Sequence, residues 1–271
     1  MAAGSWRALY ASDLQSLWAL VAVPAAFLVW LLARGRRRLA RDADPRGRFV
    51  ASWAIAFALE TIADPVATGP VARALELEGG AAEALPLVFV LLGDWRVWLL
   101  VAALVLPPAR RRAAFAGSAL ATLVVPALAY GAHAALRARW PDLPGQVLWL
   151  VYETAFAALA LWVRARGLSS LAPAADARAL RAARAVLAWA VATYLLWAAA
   201  DLLVLAGVDA GWALRMLPNQ LYYALFVPFA FWAWFGLARA RGAERAAPAA
   251  RRPTREPADA PRAEGERSRS G

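Results

Sequence analysis

Seven stretches of about twenty mostly apolar residues follow one another along this chain, and four of them carry acids in their interior. A helix needs roughly 20 residues to cross the hydrocarbon of a bilayer. Lipid offers nothing to an unpaired backbone group, so a chain made of such stretches is confined to a helical membrane bundle. The most constraining is the third, an apolar run from Ala84 to Pro107 with Gly93-Asp94-Trp95-Arg96 near its middle. An ionised side chain at that depth costs about 2.5–3.5 kcal/mol on insertion scales. Asp94 and Arg96 must therefore be compensated from neighbouring helices.

The spans are Leu14 to Ala33, Phe49 to Thr68, Ala84 to Pro107, Ala113 to Leu136, Val147 to Val163, Ala185 to Val208 and Leu214 to Leu237. The fold class is all-α, a polytopic bundle of about seven transmembrane helices over residues 1–238. Residues 239–271, rich in Ala, Pro and Arg, are too poor in bulky apolar side chains to build a core and read as a disordered tail. With 62% hydrophobic residues and a mean hydropathy of +0.49, a soluble domain is excluded.

Orientation follows from the arginines. Arg34, Arg36, Arg37, Arg38, Arg41, Arg46 and Arg48, then Arg110 to Arg112, then Arg164, Arg166, Arg178, Arg181 and Arg184, and the tail all fall on one side. Only Arg7, Arg73, Arg137, Arg139 and Arg215 fall on the other. The positive-inside rule puts the N-terminus outside and the C-terminus in the cytoplasm, as expected of a protein of the cell inner (plasma) membrane. The net charge of +11 is thus a topology signal plus a basic tail, with no nucleic-acid partner expected. Trp18, Trp140, Trp149 and Trp212 near outer ends, with Trp30, Trp53, Trp162, Trp189, Trp232 and Trp234 near inner ends, read as interfacial belts.

The intramembrane polar groups fall mostly in the outer half: Glu60 and Asp64 on span two, Asp94 and Arg96 on span three, Glu153 on span five, Asp201 on span six, and Asn219, Gln220 and Tyr223 opening span seven. Glu60 and Asp64 are four apart and share a face. On each acid-bearing helix an aromatic lies one turn to the cytoplasmic side: Phe57, Trp98, Phe156 and Trp197. Carboxylates over ring faces suit a cation through charge and quadrupole together. Arg96, two residues from Asp94, points to nearly the opposite side of its helix, so its expected partner is Glu153 or Asp201. That pair would either hold the bundle together or bind a ligand. Pro65 and Pro218 either break or start helices at the site, or Pro65 does no more than loosen the outer end of span two and Pro218 cap span seven.

Much chemistry is excluded. Without cysteine there is no disulfide or thiolate, and without lysine no retinal Schiff base. His133 stands alone, which argues against catalytic zinc. A hard cation held by Glu60, Asp64, Asp94 and Glu153 is chemically conceivable, but no metal or cofactor is expected. Seven helices with the N-terminus outside is a topology shared by receptors, rhodopsins and some sugar carriers, and topology alone does not establish kinship. The leading expectation is an outward-facing carboxylate pocket that binds or transports a small cationic or proton-coupled solute. Its alternatives are an intramembrane lipid-acting enzyme using paired acids, and a non-catalytic sensor or assembly protein whose tail contacts anionic lipid or a cytosolic protein.

The absence of native cysteine allows a direct test of orientation. In intact cells, a membrane-impermeant maleimide is predicted to label Ser12→Cys and to leave Ser268→Cys unlabelled until the membrane is opened; the reverse pattern contradicts the topology.

Overall fold

The structure, a computed structural model, describes residues 5–35, 44–171 and 176–236. The described residues are helical apart from short turns and contain no strand. A short helix, α1 (Trp6–Tyr10), precedes α2 (Ala19–Trp30), α3 (Pro45–Val66), α4 (Gly79–Val105), α5 (Arg111–Arg139), α6 (Gln146–Trp162), α7 (Ala177–Leu205) and α8 (Ala210–Asn219). A last helix, α9, covers 226–236. Wider π-helical turns extend several of them, among them Ala67–Val71 after α3 and Gln220–Leu225 between α8 and α9.

Six helical stretches are long and apolar enough to cross a membrane: Leu14–Ala33, Pro45–Ala74, Gly79–Val105, Pro108–Arg139, Gln146–Gly167 and Ala177–Leu205. They match the first six spans read from the sequence. The seventh, Leu214 to Leu237, is continuously helical from Ala210 through 236 but is not among those six. The Ala/Arg stretch before span six, whose composition suits a short surface helix, forms the first turns of α7. Asp176 caps it by accepting from the Ala179 amide at 2.8 Å. Asp44 does the same for α3, whose first residue is Pro45. The tail, 239–271, lies outside the described residues.

The helices pack as a ring around one of their number. Neighbours in the ring are α2 with α3, α5 with α6, α6 with α7 and α7 with α8, and the π turn Gln220–Leu225 closes against α2. Helix α4 touches α3, α5 and α7 at once. Its residues Val97, Trp98, Leu99, Leu100 and Val101 are all buried, so it has no lipid-facing side over that turn and a half. The helix that carries both Asp94 and Arg96 is therefore the centre of the bundle, which is where their compensation can come from several directions.

At the arginine-rich end, Arg46 pairs with Asp176 at 3.1 Å, Arg111 donates to the Pro45 carbonyl at 3.1 Å, and the Arg178 guanidinium lies 3.9 Å from the Trp234 ring. The tryptophans divide. Trp18, Trp30, Trp140, Trp162 and Trp232 are exposed on the outside of the bundle, as belt residues are. Trp53 and Trp234 are buried instead. Indole N–H groups tie helices together: Trp53 to the Arg96 carbonyl at 3.1 Å, Trp95 to the Ser118 hydroxyl at 2.9 Å, and Trp189 to the Leu221 carbonyl at 3.1 Å.

Pro65 and Pro218 lie inside α3 and α8, where they neither end nor begin a helix. A proline removes one helical donor, and in both places a π turn follows within a few residues. Two carbonyls of the second π turn accept from side chains of other helices, Leu221 from Trp189 and Tyr222 from Arg96.

At Gly93, α4 and this turn come close together. A Cβ at position 93 would stand 2.0 Å from the Tyr222 hydroxyl oxygen. Gly93→Ala is predicted to destabilise the protein by about 1–3 kcal/mol, the usual range for overpacking, and Tyr222→Phe in the same chain is predicted to recover part of that. Melting in detergent checks both; a neutral Gly93→Ala would contradict this contact.

Candidate functional site

Asp94 and Arg96 sit on opposite sides of α4 and are compensated separately. Asp94 is fully buried and accepts from two tyrosine hydroxyls, Tyr152 of α6 at 2.5 Å and Tyr194 of α7. Arg96 is also fully buried and faces α3 and the π turn. It donates to Thr61 Oγ1 at 2.9 Å, to Glu60 Oε2 at 3.4 Å and to the Tyr222 carbonyl at 2.7 Å. Its guanidinium carbon lies 4.1 Å from the Tyr222 ring centroid and 5.2 Å from that of Phe226. This corrects the expectation that Arg96 pairs with Glu153 or Asp201: its acid partner is Glu60.

Those two acids have a different cation. Arg215 of α8 donates to Asp201 Oδ1 and lies 3.9 Å from Glu153 Oε1. From the sequence Arg215 reads only as one of the few arginines on the outer side. In the structure its side chain is 13% exposed and turned inward. It could have been found from spacing, since it stands four residues before Asn219 and so shares that face of α8.

Between these two clusters lies a cavity of about 260 Å³. Asp64, Glu153, Arg215 and Asn219 give it charge and hydrogen-bonding groups, and Trp149, Tyr152, Tyr194, Trp197, Tyr222 and Tyr223 give it ring faces and hydroxyls. Asp64 is 7% exposed and forms no ion pair among the described residues. Thr68 donates to its backbone carbonyl at 2.8 Å and approaches its carboxylate at 3.4 Å, and the Tyr223 hydroxyl also reaches it. Asn219 accepts from Trp197 Nε1 at 2.8 Å. Tyr10 of α1 completes the wall, with Asn219 donating to its hydroxyl at 3.4 Å. The position of α1 is set by Asp209, which accepts from the Trp6 amide at 2.8 Å, and by packing of Tyr10 on Trp212.

Of the residues singled out from the sequence, Asp64, Glu153, Trp197, Asn219 and Tyr223 line this cavity. Asp201 stands behind Glu153 and Arg215, and Glu60, Asp94 and Arg96 form the buried network beside the cavity without lining it. Gln220 and Trp98 do not line it. Trp98 packs on Phe156, Phe156 stacks on Tyr194 at 3.9 Å, and Tyr194 meets Trp197 edge to face, so three of the four expected floor aromatics are linked through Tyr194. Phe57 packs instead on Trp53 and Trp95.

Apart from Asp64, the acids are divided between two arginines and a tyrosine pair, and among the described residues no group of three or more His, Cys, Asp or Glu side chains could hold a metal ion. The residues that sequence reasoning missed are mainly hydroxyls: Tyr152 and Tyr194 as donors to Asp94, and Thr61 as acceptor for Arg96. Their signal was available in principle, because a tyrosine in mid-helix needs a partner for its O–H. Which acid it would find depends on how the helices are ordered in the ring.

Compared with known protein families, with curated proteins and with solved structures, the chain matches none of them. The reading of the site therefore stands on its geometry.

Removing one partner of a buried pair leaves the other charge unpaired, which typically costs about 3–5 kcal/mol. Glu60→Gln is predicted to destabilise the fold on that scale, and the double variant Glu60→Gln, Arg96→Met to be less destabilised than the sum of its parts. Strictly additive losses in denaturation would show that the two side chains do not act on each other.

Proposed function

We propose that this chain is a seven-helix protein of the plasma membrane, N-terminus outside, that binds a small organic cation in the cavity beside Asp64. The observation that supports it best is a carboxylate with no ion-pair partner among the described residues, set in a wall of indole and phenol rings. Ring faces attract a cation by about 0.5–2 kcal/mol each, more where water is excluded, and Asp64 supplies the opposite charge. The single arginine of the wall, Arg215, already faces Asp201 and Glu153, so an anionic ligand would have to displace them. A volume of about 260 Å³ falls below the usual range for drug-sized ligands, about 300–1,000 Å³, and suits a small solute.

Under the proposed topology the cavity lies in the outer half, near α1 and the N-terminal end of α8. The π turns that follow Pro65 and Pro218 border it and are the places where the helices deviate from regular geometry. They favour a carrier, in which such turns serve as hinges, over a rigid receptor. The lipid-acting enzyme draws less support, since Glu60 and Asp201 are engaged by arginines and are not free to act as a general acid and base. For residues 239–271 the proposal remains contact with anionic lipid or a cytosolic protein.

The test uses choline and its neutral isostere 3,3-dimethylbutanol. A ligand that binds only the folded state stabilises it by about 2.7 kcal/mol at one hundred times its Kd. Choline is predicted to raise the melting temperature of the detergent-solubilised protein with increasing concentration, and the isostere to leave it unchanged. Asp64→Asn is predicted to abolish the effect and Trp197→Ala to weaken it. Equal stabilisation by both compounds, or by choline in Asp64→Asn, would refute the cation reading.

A further inference from the structure

Arg215 faces two carboxylates, and one guanidinium neutralises only one of them. Asp201 is fully buried and Glu153 is 3% exposed, reached only from the cavity it lines. Both carboxylates meet at the Arg215 guanidinium and lie close to each other. Their outer oxygens, Glu153 Oε2 and Asp201 Oδ2, are buried and have no hydrogen-bond partner among the described residues. The Gln146 side chain lies beside Asp201, yet its amide nitrogen makes no hydrogen bond among the described residues, and two acceptors brought together with no donor between them are one proton short. A single O–H between them would satisfy both oxygens at once and leave the trio of Glu153, Asp201 and Arg215 neutral.

We infer that Glu153 and Asp201 share one exchangeable proton beside Arg215, and that Glu153, which lines the cavity, is the route by which this proton enters and leaves. The O–H bond breaks toward water in the cavity, and the departing proton leaves the pair with the charge that a cation in the cavity would neutralise. Other groups around Glu153 do not take this role. From α7, Tyr194 is turned to Asp94, and on α6 itself Tyr152 is turned to Asp94 as well. Helix α5, packed on α6, brings Tyr130 and His133, neither of which forms an ion pair or hydrogen bond with Glu153 among the described residues. Across the cavity stand Asp64, Tyr10, Tyr222 and Tyr223, and of these only Asp64 adds charge. Its negative sign favours retention of the proton until a cation arrives. That last step rests on the cation reading given above; the shared proton itself does not.

Infrared spectroscopy of the purified full-length protein at neutral pH tests it. The carbonyl stretch of a protonated carboxyl group, shifted on exchange into deuterium oxide, is predicted in the wild type. Both Glu153→Gln and Asp201→Asn are predicted to lose one such band. Each leaves a single acid facing Arg215, so each retains a balanced pair. A band unchanged in both variants, or lost in only one, overturns the shared proton. A second arm measures proton release into weakly buffered detergent when tetramethylammonium is added. Release that depends on Glu153 supports the link to the cavity, and binding without release refutes it. If tetramethylammonium neither binds nor stabilises while the band is lost in both variants, the cation reading falls and the proton site stands.

Discussion

The buried guanidinium of Arg96 is the constraint around which the bundle is arranged. A fully buried arginine in a membrane helix is tolerated only where other parts of the protein replace water around it. Here three segments contribute: α3 through Glu60 and Thr61, the π turn through the Tyr222 carbonyl, and the rings of Tyr222 and Phe226. Meeting that need fixes the distance and register of α3 and the last helical segment about α4. The same approach brings Tyr222 against Gly93, where any larger residue would collide.

With Arg96 turned toward α3, the opposite side of α4 is left to Asp94, and α6 and α7 close on it with Tyr152 and Tyr194. That leaves Glu153 and Asp201 to find a cation elsewhere, and α8 provides Arg215. The cavity is what remains between these two arrangements, walled by side chains that the charge networks have already oriented. Its chemistry follows from this division. Asp64 is the cavity-lining acid that forms no ion pair among the described residues, and the rings around it belong to residues that also stabilise the networks.

Much of this architecture was legible from residue order alone. Spans one to six agree with the helices because apolar runs of bilayer length have no other stable form, and the importance of Asp94 and Arg96 followed from their depth. The partners were less legible. Two residues of separation on α4 placed Arg96 opposite Asp94, but which helix stands there depends on the order of the ring, and local periodicity contains no information on it. The same limit left Arg215 as no more than one of the few outer-side arginines and made Trp53 a belt residue. A charge near a span end and an indole near an interface read alike whether they point outward to solvent or inward to a neighbouring helix. Pro218 was legible as a disturbance but not as a π turn, since its effect depends on Arg96 and Trp189 arriving to take the Tyr222 and Leu221 carbonyls.

The central claim is that the space beside Asp64 is a cation site. The most direct measurement is an X-ray structure of the protein with tetramethylarsonium, whose arsenic is located by anomalous scattering independently of any model of the ligand. The account predicts one strong peak inside the cavity, facing the Asp64 carboxylate and in van der Waals contact with the Trp197 and Tyr222 rings. A peak found only at the bundle surface, or none in the cavity at saturating concentration, would contradict it.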